Sequence, residues 1–212
     1  TETIAGSVIG VAEEILHLAA DRFGPLGEEA HLTLAEHLAA TVERVRQGMP
    51  IPNPFLAQIQ LLYPEEYELA GQAVEMIAAR LGVPLPEEEQ GILALHLLGA
   101  RRRESPKVVA RYQALIRESA AFLAEEAGIA WSEDDPHLAR VLLHLRLAIE
   151  LIVSGKGETN PVLDRIRSEY PDAFARARRL GDYMAQRLGR PVSDDEVGYL
   201  ALHLLRLKNI TQ

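Results

Sequence analysis

The chain has 212 residues, 48% of them apolar and 25% charged, with a formal net charge of −9 and no cysteine. That composition belongs to a packed globular protein and excludes disulfides, thiolate metal sites and a cysteine nucleophile. The acidic balance argues against nucleic acid as a direct partner, because phosphate contacts need clustered Lys and Arg, and the one basic run, Arg101-Arg102-Arg103, is followed at once by Glu104.

No run of eighteen uncharged apolar residues occurs, so no membrane span is expected. Residues 1–10 lack a basic segment ahead of an apolar one, so no signal peptide is expected either. Ala, Leu, Glu and Arg dominate, and these are the best helix formers. Aromatics are only 5%, and alternating β-branched runs are missing. The predicted class is therefore all-α.

The apolar periodicity predicts helices near 5–23, 29–47, 54–62, 65–81 and 87–101. A second series follows near 107–127, 135–154, 161–169, 172–188 and 194–208. The two series are copies. Shifted by 107 positions, residues 37–98 align with 144–205 without a gap, and 24 of the 62 pairs are identical. We expect two five-helix bundles, residues 1–103 and 104–212, with the boundary where Arg103-Glu104-Ser105-Pro106 interrupts the apolar pattern.

The identities fall at helix ends. Asn53-Pro54 and Asn160-Pro161 read as an N-cap followed by Pro at the first helical position. Tyr63-Pro64 and Tyr170-Pro171 read as further helix starts. Leu81-Gly82 and Leu188-Gly189, each followed by Pro84 or Pro191, read as stops. Ser193-Asp194-Asp195-Glu196 has the form of a capping box, whereas the first copy has Pro86-Glu87-Glu88-Glu89 there, acidic but without the Ser cap.

Seven histidines are present, and only four pair across the copies: His37 with His144, and His96 with His203. Within each copy they stand 59 residues apart. His17, His31 and His137 have no counterparts and read as incidental surface residues. The helices around His96 and His203 are apolar nearly all round, which predicts cover by another domain or subunit as well as by their own bundle. On a helical wheel His203 and His37 sit at the margins of apolar stripes, where a partner can reach the ring while the backbone is held rigid.

Three chemistries compete for these four residues. A structural role, with the ring bonded to a nearby carbonyl, is the commonest fate of one histidine on a helix edge. Metal binding would need Glu-x-x-His or His-x-x-x-His on facing helices, and neither spacing involves the four, so no metal or cofactor is expected. Phosphoryl acceptance on a ring nitrogen is the third. Since no Walker loop, kinase motif or catalytic triad is present, another protein would deliver the group. An acid–base pair such as His203 with Glu196 would make an enzyme of the chain, but no other catalytic residue accompanies it.

The duplicated pattern resembles the tandem PTS regulation domains (PRDs) of bacterial transcription antiterminators and activators. The residues that carry the resemblance begin with His37-Leu38, Val42-Glu43-Arg44-Val45, Gly48, Pro50-Ile51 and Asn53-Pro54. Leu61-Leu62-Tyr63-Pro64-Glu65-Glu66-Tyr67 and Pro86-Glu87, Glu89, Gly91 and Leu93-Ala94-Leu95-His96 follow, and the second copy repeats the series through His144, Asn160-Pro161, Tyr170-Pro171 and Glu196 to His203. One departure is Glu36 before the first histidine, with Leu143 in the second copy, where the family often has Asp.

The resemblance implies two tandem five-helix PRD bundles in a cytoplasmic homodimer that is not an enzyme. It implies His37, His96, His144 and His203 as phosphorylation sites, served by HPr and a sugar-specific enzyme II of the phosphotransferase system. RNA would be bound only through an N-terminal domain not in this chain. A chain ending nine residues past His203 fits an antiterminator better than an activator, which usually continues into further domains. The alternatives are the PRD module of a DNA-binding activator, or a helical dimerisation domain whose histidines are structural. A phosphoryl group at this acidic, apolar seam would repel a carboxylate or recruit an arginine such as Arg178 or Arg179.

Overall fold

A computed structural model describes residues 2–49, 51–132 and 134–210. Pro50, part of the motif above, lies outside them. Among the described residues there are ten α-helices and no strand. The chain divides into two compact units, 1–111 and 112–212.

The first unit contains α1 (Glu2–Phe23), α2 (Ala30–Arg46), α3 (Leu56–Leu62), α4 (Pro64–Leu81) and α5 (Glu87–Arg102). The division falls within α6 (Pro106–Ala127). α7 (Pro136–Ser154), α8 (Leu163–Glu169), α9 (Pro171–Leu188) and α10 (Asp194–Ile210) complete the second unit. All ten helices stand where the periodicity places them, to within a few residues.

In the first unit α5 is the hub, packing against α1, α2, α3 and α4. Leu93, Ala94, Leu97 and Leu98 are buried there with Leu34, Leu38, Ile59 and Ile77. In the second unit α10 packs against α7, α8 and α9, burying Val197, Leu200, Ala201, Leu204 and Leu207. The nearly all-apolar helices are thus covered largely by their own unit. Wrapped by three or four neighbours, they leave Leu95, Leu202 and Leu205 only half-buried.

The helix stops are as read. Gly82 and Gly189 cap α4 and α9 in the left-handed region, at φ 67° and 64°. Two helix starts differ from expectation. α3 and α8 begin at Leu56 and Leu163, three residues beyond Asn53 and Asn160. Each Asn side chain instead closes a turn two residues on, accepting from the Phe55 or Val162 N–H at 3.1 Å. Its amide donates to the Glu88 or Asp195 carbonyl, at 3.1 and 3.4 Å. That ties the α3 or α8 turn to the first turn of α5 or α10. The capping box is half formed: the Glu196 N–H donates to Ser193 Oγ at 3.2 Å, while the Glu196 side chain turns into the core.

The same turns explain a repeated glycine. A Cβ on Gly91 would lie 2.6 Å from Asn53 Nδ2 and 3.0 Å from Leu56. On Gly198 it would lie 2.6 Å from Asn160 Nδ2 and 3.1 Å from Leu163. Gly91→Ala and Gly198→Ala should each destabilise their unit by about 1–3 kcal/mol through overpacking. Gly10→Ala, on a helix with open space around it, should be neutral or slightly stabilising. Denaturant unfolding of the three variants checks this.

Candidate functional site

α2 and α5 bring His37 and His96 together, and α7 and α10 do the same for His144 and His203. The His37 and His96 rings stack with centroids 4.3 Å apart and an interplanar angle of 26°. The His144 and His203 rings lie 4.6 Å apart at 35°. Four residues chosen by an internal repeat therefore make two ring pairs, one in each unit. The other three stay apart from them. His31 Nδ1 meets Glu13 at 2.8 Å, His17 is exposed 3.9 Å from Asp21, and His137 contributes a backbone N–H to the Asp135 cap of α7.

The first pair sits on a closed polar network. Glu89, fully buried on the first turn of α5, lies 3.4 Å from His37 Nε2. Arg44 donates to Glu89 Oε1 at 3.2 Å and to Thr41 Oγ1 at 3.1 Å. Thr41 donates to Glu89 Oε2 at 3.3 Å, and its hydroxyl also lies 3.3 Å from His37 Nε2. Burial would push the Glu89 carboxyl up. The hydrogen bond from His37 and the cationic charges of His37 and Arg44 outweigh it and hold the group below its ordinary value. Glu89 thus reaches His37 across the bundle and not His96 on its own helix. Glu36, the residue in the family's Asp position, is exposed.

The second pair has the same glutamate without the network. Thr41 and Arg44 are replaced by Ala148 and Leu151, while Arg206 stands where the first copy has Gly99. Glu196 is 4% exposed, and its Oε1 makes no hydrogen bond. Burial raises its carboxyl; a hydrogen bond from the Glu158 backbone opposes this, and the negative charges of Glu158 and Asp195 add to it. Glu196, Glu158, His144, His203 and Arg206 line one cavity of about 270 Å³ whose remaining wall is mostly leucine.

The more buried ring of each pair, His96 or His203, is held neutral. Burial, then the neighbouring His37, depresses His96 to about 3. Burial, then His144 and Arg206, depresses His203 to about 4. His144 is lowered by burial and by Arg206 and Arg140. A neutral imidazole keeps a lone pair on one nitrogen, which is what a nucleophile or phosphoryl acceptor needs.

Arg178 and Arg179, singled out from the sequence, are committed elsewhere. Arg178 pairs with Asp194, and Arg179 with Glu126 at 3.0 Å. The cations at the ring pairs are Arg44, Arg140 and Arg206. A signal for all three was present, since Arg140 precedes His144 by four residues, Arg206 follows His203 by three and Arg44 follows His37 by seven, each on the histidine's own helix face. Among the described residues no group of three His, Asp or Glu side chains is placed to hold a metal, and no helix is long and apolar enough to cross a membrane.

The sequence profile of the PRD domain matches residues 13–100 and again 117–207. The PtsGHI operon antiterminator of Bacillus subtilis (strain 168) is 32% identical over 173 residues, 81% of this chain and 62% of that protein. The transcription antiterminator LicT of the same strain is 25% identical over 201 residues, 93% of this chain and 73% of that protein. A solved structure titled "Crystal structure of GlcT CAT-PRDI" is 36% identical, with a TM-score of 0.43, over 44% of this chain and 56% of that one. The chain spans less than two thirds of the first of these relatives.

His203 should titrate near 4, well below its ordinary 6.5, when its ring protons are followed by NMR. The unfolded chain takes up that proton near 6.5 and the folded one only near 4. Between those values the unfolded state binds more protons, so acidification should lower the stability of the second unit across this window. His203→Asn should flatten that dependence.

Proposed function

Since the chain belongs to the PRD domain family, with matches over 13–100 and 117–207, we propose that it is the regulatory module of a transcription antiterminator, switched by phosphorylation of its paired histidines. The two PRDs are assigned to residues 1–103 and 104–212. HPr and a sugar-specific enzyme II of the phosphotransferase system donate the phosphoryl groups to His37, His96, His144 and His203. The module works as a homodimer in the cytoplasm and governs RNA binding by an N-terminal domain of a longer protein. It is not itself an enzyme.

The observation that carries this reading is the ring pairing. Two helices in each unit bring two imidazoles together, stacked at 4.3 Å in the first and tilted at 4.6 Å in the second, and the inner ring of each pair is held neutral. The transfer is a balanced exchange. A ring nitrogen of the acceptor attacks phosphorus with its lone pair, and a new N–P bond forms. The N–P bond of the donor phosphohistidine breaks, and its electron pair returns to the donor ring. With the donor ring protonated on its other nitrogen, a neutral imidazole leaves and the acceptor becomes the phosphoimidazolium. No further reactant is consumed.

The added group carries nearly two negative charges, by analogy with other phosphoresidues. It arrives beside a buried glutamate on a half-buried helix face, where charges are weakly screened. A differential interaction of about 5.5 kcal/mol takes a two-state equilibrium from 1:99 to 99:1. Repulsion from Glu89 or attraction to Arg44 and Arg206 acts in that direction.

Incubation with phosphoenolpyruvate, enzyme I and HPr at neutral to alkaline pH should yield acid-labile phosphoryl groups mapping to the four paired histidines. His17, His31 and His137 should stay unmodified. Sedimentation and small-angle scattering should change on phosphorylation. A chain left unmodified by competent donors, or modified with no change in dimer state or shape, would refute the corresponding half of the reading.

A further inference from the structure

The two units hold the same buried glutamate in opposite ways. Both oxygens of Glu89 are engaged, Oε1 by Arg44 and Oε2 by Thr41 and His37. Glu196 Oε1 has no partner at all. An unpaired buried polar atom is expensive, and here the substitutions of Thr41 by Ala148 and of Arg44 by Leu151 create the vacancy. Glu196 itself lines a cavity of about 270 Å³, many times the roughly 10–15 Å³ that one water requires. Both histidine rings and the Arg206 guanidinium line that same cavity.

Resting on the phosphotransfer reading above, we propose that this cavity is the seat of a phosphoryl group carried on His144 or His203, with Glu196 as the positioning residue that donates a hydrogen bond to a phosphoryl oxygen and Arg206 as the facing cation. The first unit is built differently: Glu89 is already saturated as an acceptor, Gly99 replaces the arginine, and the cavity of about 410 Å³ that His96 lines includes neither Glu89 nor His37.

A carboxyl can donate only when protonated. The groups facing Glu196 are Glu158, Asp195, His144, His203 and Arg206, with Arg140 beside His144. Burial and the two acidic neighbours keep its proton on to higher pH than an ordinary glutamate. An ionised carboxylate there would repel the phosphoryl group, as Glu89 would in the first unit. No proton moves in the proposal; a carboxylic O–H bonds to a phosphoryl oxygen and releases it when the group departs. The second unit should therefore hold its phosphoryl group more firmly than the first, and that preference should fade as pH rises and Glu196 ionises.

The full chain, equilibrated with a fixed ratio of phosphorylated to free HPr, gives both units' occupancies in one molecule by peptide mapping. Glu196→Ala should lower occupancy at His144 and His203 about tenfold, the loss expected for one hydrogen bond to a charged group, with His37 and His96 unchanged. Glu196→Gln keeps an N–H donor of the same shape. It should retain the occupancy and lose the pH dependence of the second unit relative to the first. Unchanged second-unit occupancy in the Ala variant would overturn the proposal, as would a wild-type pH profile in the Gln variant. The Gln profile decides alone if the Ala variant does not fold. Wild-type chain that takes no phosphoryl group in either unit would instead overturn the phosphotransfer reading itself.

Discussion

A missing methyl group sets the geometry of each unit. Gly91 and Gly198 let the Asn53 and Asn160 amides press against the last helix, at a distance no Cβ tolerates. The Asn side chain then bonds on both sides, to its own turn and to the first turn of α5 or α10. The start of the last helix is thereby fixed against the rest of the bundle. Everything further along that helix, including the histidine five residues beyond the glycine, inherits its position from this contact. His96 meets His37 and His203 meets His144 because the helices that bear them cannot slide.

Charge is arranged around those pairs with the same economy of means and two different outcomes. In the first unit a carboxylate, a guanidinium, a hydroxyl and an imidazole satisfy one another, and the network is complete. In the second unit the carboxyl is retained, the threonine and arginine are gone, and Oε1 is left without a hydrogen bond. Duplication preserved the scaffold, and three positions, 41 against 148, 44 against 151 and 99 against 206, changed the electrostatics. Low local dielectric makes such changes count, because a satisfied network rigidifies while an unsatisfied group stays available.

The helices and the ring-bearing residues were legible in the sequence because both are local or repeated signals. Helix ends announce themselves through Gly82, Gly189, Pro64 and Pro171, and the four histidines emerge from a gapless alignment of the chain with itself. What could not be read is how side chains choose among partners across the bundle. Glu89 is nearest His96 in sequence but bonds His37, because α2 rather than its own helix supplies the facing surface. Arg178 and Arg179 look free on paper, yet Asp194 and Glu126 reach them from α10 and α6. The asparagines follow the same rule. Their N-cap signature was correct in chemistry, but the turn they close begins before the helix does.

Each ring pair joins two helices, and so a chemical mark on one imidazole is mechanically shared. α10 has 17 residues, a rod of roughly 25 Å at about 1.5 Å per residue. A tilt of only ~5° about its anchored start would sweep the far end of such a rod through ~2 Å. That is a displacement on the scale that separates the packed alternatives of switching proteins. With one end of the rod pinned by the asparagine and the ring standing in its second half, the unit has the form of a lever, fulcrum at the glycine and load at the C-terminal turn.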